Sequence, residues 1–461
     1  GVTHDGRPAV WHLGTEFFGA PLTIELPPGT RSITIDYATH PAALGLVWSN
    51  ASDTTGGVKP FLFSFNAPIG ARSWIPIHDT PAARMTFDAT LRVTPGLLAL
   101  MTAEDNPRVP NGDGVYRFTM SQSIPAYLIA FAVAPLEYRA IDGRIGVYAE
   151  ANRILDAAWE LQYLPAMMDA AEELLGPHPF PRHDLLIMPP SFPAGGMENP
   201  MLNFIQGAAI PTGRIGVPPE PRNLIAHELA HSWAGDATTL STWHDVWINE
   251  GFASYLALRI LEELRGPESV RQRYVNDRLL VETYVRGARD PQQTVLHRRS
   301  LRDPAAAFDV TSYVKGELFL RTLEDLLGRS TFDAFLRDWY ATYAFRWVDD
   351  RNFLAMLRKH AGIEGIIATS ALEWLYQPGL PANVTVPRQL STEAVSVEEW
   401  VGCHTARAPH PPSGHLHPSM RGAGFVAPRP AARGEGGRRP GEGSRHMAET
   451  AAIEDDVTVS P

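Results

Sequence analysis

The sequence predicts an α+β chain of more than one domain, an N-terminal antiparallel β domain followed by a mainly helical one. Period-two alternation dominates the first 140 residues, apolar spacing turns helical after residue 154, and periodicity disappears after about residue 402. A length of 461 residues is too great for one small core. With 44% hydrophobic and 20% charged residues the composition is that of an ordinary globular protein.

In the first part, LTIELPPGTRSITIDYA (22–38) alternates on both sides of a Pro-Pro-Gly turn and reads as a hairpin. RMTFDATLRV (84–93), YRFTM (116–120) and AYLIAFAVA (126–134) continue the β pattern, giving a β domain over 1–140. ILDAAWELQYLPAMMDAAEELLG (154–176) then carries apolar residues at helical spacing and ends on glycine, and DLLIMPPSFP follows as a buried strand running into a loop. NLIAHELAHSWAG, GFASYLALRILEELRG, TSYVKGELFLRTLEDLLG and STFDAFLRDWYATYA read as further helices of a domain over 141–385. Residues 386–461 read as a linker and a disordered tail, because Pro, Gly, Arg and His without periodicity bury too little apolar surface to offset ordering entropy. Its histidines (404, 410, 415, 417 and 446) have no helix or strand to fix them and do not read as a metal tract.

A formal net charge of −11 argues against nucleic acid or an anionic membrane as main partner. Cys403 is the single cysteine, so an internal disulfide or a thiolate metal cluster is excluded, and any metal must be held by histidines and carboxylates. No apolar run has transmembrane length and no basic-then-apolar leader opens the chain, so a cytoplasmic location is the expectation; oligomeric state is left open. The chain starts at Gly1 rather than a methionine, which leaves room for a preceding leader.

The chemistry lies in residues 225–251, IAHELAHSWAGDATTLSTWHDVWINEG. His227 and His231 stand one helical turn apart, so both rings leave the same face, the geometry two imidazoles need to grip one ion. Asn223 is the expected N-cap and Gly235 the expected stop. Glu228 can reach a metal-bound water without joining the ligands. Eighteen residues separate His231 from Glu250, which opens the next helix and can supply a third ligand. A chance HExxH is expected in roughly a few per cent of chains this long, and a glutamate at one fixed later position lowers that about tenfold. Two histidines and a carboxylate suit one catalytic Zn2+ with an open fourth position; iron sites share the set but need no adjacent glutamate base. Zinc lowers the pKa of a water towards neutrality and Glu228 is placed to accept its proton, so the reaction class is metal-assisted hydrolysis, most naturally of a peptide bond.

Upstream, PPSFPAGGMENP (189–200) puts a Gly-Gly pair and Glu198 in one loop. Together with the HExxH pattern this resembles the gluzincins of the aminopeptidase N superfamily, and PSFPxGGMENP is similar to the branch containing leukotriene A(4) hydrolase and aminopeptidase B. The resemblance covers most of residues 10–385. It implies a saddle-like β domain, a thermolysin-like catalytic domain, and a zinc-dependent aminopeptidase acting on small peptides with a free N-terminus. It implies His227, His231 and Glu250 as ligands and Glu228 as base. The loop Gly195, Gly196, Met197, Glu198 and Asn199 would bind substrate, with Glu198 on its α-amino group. Tyr313, in the Tyr-x-Lys-Gly pattern, would stabilise the tetrahedral intermediate. It also implies a β domain short at its start and a C-terminal helical domain with no counterpart after residue 400.

Departures from the leukotriene hydrolase pattern fall at Ala305, Phe308, Ala194, Phe65 and Ala67, where that enzyme is polar. Losing an aspartate at 305 and a tyrosine at 308 counts against a bifunctional epoxide hydrolase, and the apolar exchanges predict small or apolar N-terminal residues over arginine. A thermolysin-type endopeptidase shares the HExxH helix, with Glu198 as the discriminating residue. A non-catalytic peptide-binding remnant is the remaining reading, against which stands the full set of catalytic side chains.

Overall fold

The computed structural model describes residues 1–15 and 18–386 and the backbone of Asp456–Ser460. The N-terminal part is antiparallel β. A four-stranded sheet runs in the order Leu46–Ser49, Phe61–Ser64, Phe131–Ala134, Leu98–Met101, and a long pair, Arg84–Arg92 with Val115–Pro125, packs on it. Phe87, Ala89 and Leu91 of the pair share a core with Phe61, Phe63, Leu98 and Leu100 of the sheet; the pair buries alternate residues, whereas Phe61–Ser64, Leu98–Met101 and Phe131–Ala134 are buried on both faces. The expected hairpin over 22–38 does not form. Leu22–Ile24 pairs with Trp11–Leu13 instead, and Ile33–Ile35 with Val2–His4. Pro27 and Pro28 have no N–H to give to a ladder, so the two segments take partners from the preceding chain.

A five-stranded mixed sheet divides the molecule, in the order Leu136–Ala140, Ile145–Glu150, His183–Met188, Leu202–Gln206, Gly196–Met197. Its centre is parallel and both edges antiparallel. The strand pair 136–150 bridges the two halves of the chain across residue 140. Ile145, Val147, Leu185, Ile187 and Ile205 face the helical core, whereas Tyr148, Leu186, Met188, Leu202 and Phe204 face the β core. These strands are apolar on both faces because both faces are covered.

On one side lie the helices α1 (Ile154–Glu160), α2 (Leu164–Leu175), α3 (Asn223–Ala230), α4 (Val246–Arg265), α5 (Glu268–Gly287), α6 (Gly316–Leu327), α7 (Arg329–Tyr343), α8 (Asp350–Ala368) and α9 (Ala371–Tyr376). The expected single helix over 154–176 is two, α1 and α2, because Pro165 removes an N–H and its ring crowds the carbonyl of residue 161. Helix α4 is buried along most of its length and anchored by aromatic contacts: Trp247 meets Phe353 edge-on at 5.0 Å, and Phe252 stacks on Trp339 at 6.0 Å. Each large apolar side chain so buried contributes roughly 1.5–3 kcal/mol, which makes α4 a rigid bearer of Glu250. The helices α5, α8 and α9 stand outside the five helical segments the sequence singled out. No described helix is long and apolar enough to cross a membrane. The linker and most of the tail, residues 387–455 and 461, lie outside the described residues; Asp456–Ser460 is a strand paired antiparallel with residues 86–90 of Arg84–Arg92.

Candidate metal centre and peptide cleft

Helix α3 opens at Asn223, so the N-cap is Arg222 rather than the expected Asn223, and no side chain caps it. Helical bonding continues past its last regular residue, with His231 N donating to the His227 carbonyl at 3.1 Å, and the chain turns away at Gly235 (φ +147), the expected stop. The two rings leave the same face: their Nε2 atoms are 3.0 Å apart. Helix α4 brings Glu250 Oε2 to 3.3 Å from each Nε2. All three residues are buried. The Nδ1 of His231 donates to the Ala234 carbonyl at 2.8 Å, which leaves the Nε2 lone pair for a ligand role.

These donors fit a divalent cation. Nitrogen and oxygen atoms held 3.0–3.3 Å apart are within a few tenths of an ångström of the edges, about 3.3–3.6 Å, of a tetrahedron whose metal bonds are about 2.0–2.2 Å. Glu250 Oε2 is buried and takes no hydrogen bond of good geometry, the condition in which an ion supplies the missing partner. Burial opposes the charge of Glu250, yet the imidazoles of His231 and His227 outweigh it and hold the carboxyl below the ordinary range. Burial also opposes protonation of His231, and Glu198 and Glu250 overcome it and raise its pKa well above that of an ordinary imidazole; His227 is lowered by burial and by His231.

Two further carboxylates converge there. Glu198, Glu228 and His231 place ligand atoms within 4.8 Å of one another. Burial pushes both acids above the usual carboxylate range, Glu228 by a wide margin. Glu198 follows the edge strand Gly196–Met197, whose hairpin to Leu202–Gln206 is closed by Asn199-Pro200-Met201-Leu202. Leu202 N donates to Asn199 O at 3.0 Å and Met201 sits at φ +63, the type II pattern with proline in second place. Gly195 accepts from Gln206 N at 2.9 Å, and Met197 and Asn199 are buried beneath the loop. A Cβ on Gly196 would lie 2.0 Å from Glu228 Oε1, so any side chain there would displace that carboxylate. The strand therefore rests directly on the Glu228 carboxylate.

Tyr313 belongs to one π-helical turn, Thr311–Lys315, that leads into α6. Its ring stacks on His227 at 6.0 Å and 18°. Burial and then the carboxylates of Glu250, Glu198 and Glu228 keep the hydroxyl protonated. Helices α4 and α6 cross at Gly251 and Gly316, where a Cβ on either would come within 2.9 Å of the other's Cα. That contact sets Tyr313 beside Glu250.

The structure thus gathers the ten residues singled out from the sequence around His227, His231 and Glu250, on α3, α4, the Gly196–Met197 loop and the turn before α6. Others went unnoticed. Asn249 accepts from Leu240 N at 3.1 Å and donates to the Tyr127 hydroxyl at 3.0 Å, tying α4 to the β domain. Tyr127 lies in a 3-10 turn, Ala126–Leu128, in a stretch that reads as continuous strand. Position 249, just before the ligand Glu250, was the available signal. Nearby, Phe65 meets Phe192 edge-on at 5.6 Å, Phe308 lies 5.7 Å from Trp243, and Ala67 and Ala194 pack on the same apolar cluster.

Residues 19–128 match the Peptidase M1 N-terminal domain, and residues 159–374 match the Peptidase family M1 domain. The chain belongs to peptidase family M1. It is 34% identical over 396 residues to leukotriene A-4 hydrolase of Xenopus laevis, covering 82% of this chain and 64% of that protein. It is 31% identical over 438 residues to leucine aminopeptidase 2 of Yarrowia lipolytica, covering 88% and 65%. The yeast LTA4 hydrolase structure superposes with a TM-score of 0.76 at 30% identity, over 83% of this chain and 61% of that one. The M1 chain therefore spans less than two thirds of these relatives.

Proposed function

We propose that this M1 chain is a zinc-dependent aminopeptidase, with His227, His231 and Glu250 holding the ion. The observation that carries the reading is the convergence of Glu198 and Glu228 on the same point as the three ligands. Zinc, when bound, activates a water and polarises the scissile carbonyl. The rest falls to the protein. Glu228 takes the proton of the attacking water and passes it to the leaving amine. The hydroxyl of Tyr313 donates to the developing oxyanion. The outer edge of Gly196–Met197 is unpaired and can bind the substrate backbone as an added strand. Glu198 pairs with the free α-amino group and so sets cleavage one residue from the chain end.

The same reading makes N-acetylated peptides inert. Cleavage of an acetylated peptide at a rate comparable to the free one would point to an endopeptidase. The phenylalanines at 65 and 308 and the alanines at 67 and 194 support a preference for apolar or small first residues. Leucyl and alanyl arylamides should be turned over faster than the arginyl one, and arginine preference would refute the pocket assignment. Ala305 and Phe308 offer neither carboxylate nor hydroxyl for opening an epoxide, so no epoxide hydrolase activity is expected. A cytoplasmic location and small peptides with a free N-terminus as substrates, with neither nucleic acid nor membrane as partner, complete the proposal.

A further inference from the structure

Lys315 is entirely buried. Its Nζ donates to the carbonyls of Thr294 at 2.7 Å and Gln377 at 3.2 Å and meets no carboxylate among the described residues. A buried ammonium without a counter-ion is costly, and burial here pulls its pKa down to about 7. The neighbours of Tyr313 behave alike. Thr311 Oγ1 donates to Gln293 O at 2.9 Å, and Ser312 Oγ to Ala307 O at 2.6 Å. Each polar side chain of the π-helical turn except the tyrosine is thus spent on backbone outside the turn. Gly316 presses the other side onto Gly251 of α4, next to Glu250. Isolated π turns are strained and cluster at functional sites, so a turn of this kind needs outside anchors.

We propose that Lys315 is the positioning residue for Tyr313: tethered to the Thr294 and Gln377 carbonyls, it fixes the π-helical turn so that the tyrosine hydroxyl faces the carbonyl under attack. This rests on the reading of Tyr313 as oxyanion donor. The Lys315 ammonium bonds to the Thr294 and Gln377 carbonyls and to no side chain of the candidate site, so its influence must run through the tyrosine.

The test is a double-mutant cycle on leucyl arylamide turnover with the full chain, comparing the parent, Tyr313→Phe, Lys315→Met and the double variant. Zinc content and thermal midpoint are measured alongside. Removing the hydroxyl should lower kcat by about 10²–10³. Lys315→Met should lower kcat by about tenfold or more with KM nearly unchanged, because a misplaced donor is lost in the transition state rather than in binding. In the Tyr313→Phe background the lysine change should add less than about twofold. Lys315→Gln, which keeps an amide donor without the charge, should fall between parent and Lys315→Met and serves if the methionine variant does not fold. Equal losses from the lysine change in both backgrounds, or none in the parent, would overturn the proposal while leaving the oxyanion reading intact. Full activity of Tyr313→Phe would instead remove the oxyanion role and this inference with it.

Discussion

Of the three groups of His, Asp and Glu side chains that come within 4.8 Å of one another among the described residues, two share no member, His227–His231–Glu250 and Asp245–His297–Asp350, and they are built differently. In the first, two imidazoles point the same nitrogen at each other across 3.0 Å, and a carboxylate closes the triangle. The three buried side chains turn ligand atoms to one point, the arrangement of a candidate cation site. In the second, one partly exposed imidazole stands between two carboxylates, with Nδ1 2.8 Å from Asp245 and 3.6 Å from Asp350. Tyr376 donates to Asp350 as well. A single protonated histidine satisfies that arrangement without any ion. The count of His, Asp and Glu is therefore a poor guide to metal binding, and the direction of the lone pairs is the better one.

The comparison can be broken most sharply by removing the ion. A strong chelator should abolish peptide hydrolysis and lower the thermal midpoint, because a ligand that binds only the native state stabilises it. Zinc add-back should restore both. Glu250→Gln should fail to recover zinc, while His297→Gln should bind as much zinc as the parent; loss of zinc in the latter would mean that the second cluster also holds metal.

Next in size is the base. Glu228→Gln should retain zinc and lose about 10²–10⁴ in kcat, and a nearly active variant would displace Glu228 from the mechanism. Gly196→Ala comes third. Its methyl would sit 2.0 Å from Glu228 Oε1, so the carboxylate must move by about an ångström, a displacement able to cost on the order of 10²-fold in rate. Zinc content should not change. Wild-type kinetics for this variant would show that the strand yields instead.

The smallest effect concerns the second cluster. The hydrogen bond that His297 donates to Asp245 is the chief cause of its raised pKa, burial opposes it, and the charges of Asp245 and Asp350 add to the rise. A group whose pKa is raised on folding stabilises fully below its unfolded value, near 6.5, and loses that contribution as pH climbs through the folded value. The gap in thermal midpoint between the parent and His297→Gln should be widest below about pH 6.5 and narrow as the pH rises above it. A gap that widens with pH would show that His297 is neutral in the fold.

Much of this was legible from residues alone. His227 and His231 are related by one helical turn, and no tertiary contact is needed to put them on one face. The alternation in 84–93 and 116–120 gave the long strand pair directly. The misses share a cause. The segment 22–38 has the local pattern of a hairpin, but its partners come from residues 2–4 and 11–13, a choice among competing strands that local pattern does not encode. Tyr127 reads as part of a strand because the adjacent Phe131–Ala134 is one, and its link to Asn249 spans 122 residues. Lys315 lies in a segment that reads simply as helix, and only the fold shows its ammonium buried against the Thr294 and Gln377 carbonyls.

By itself the sequence determined what repeats at short range: the ligand pair on α3, the alternating sheets and the stripes of the helices. Only the tertiary structure decided that Glu250 closes on that pair, that Glu198 and Tyr313 arrive from a strand and a π turn, and that Asp245–His297–Asp350 is an ion pair. The reason is physical. Spacing within one element follows from backbone geometry, whereas distances between elements follow from how closely they pack, and here that closeness depends on three residues with no side chain, Gly196, Gly251 and Gly316.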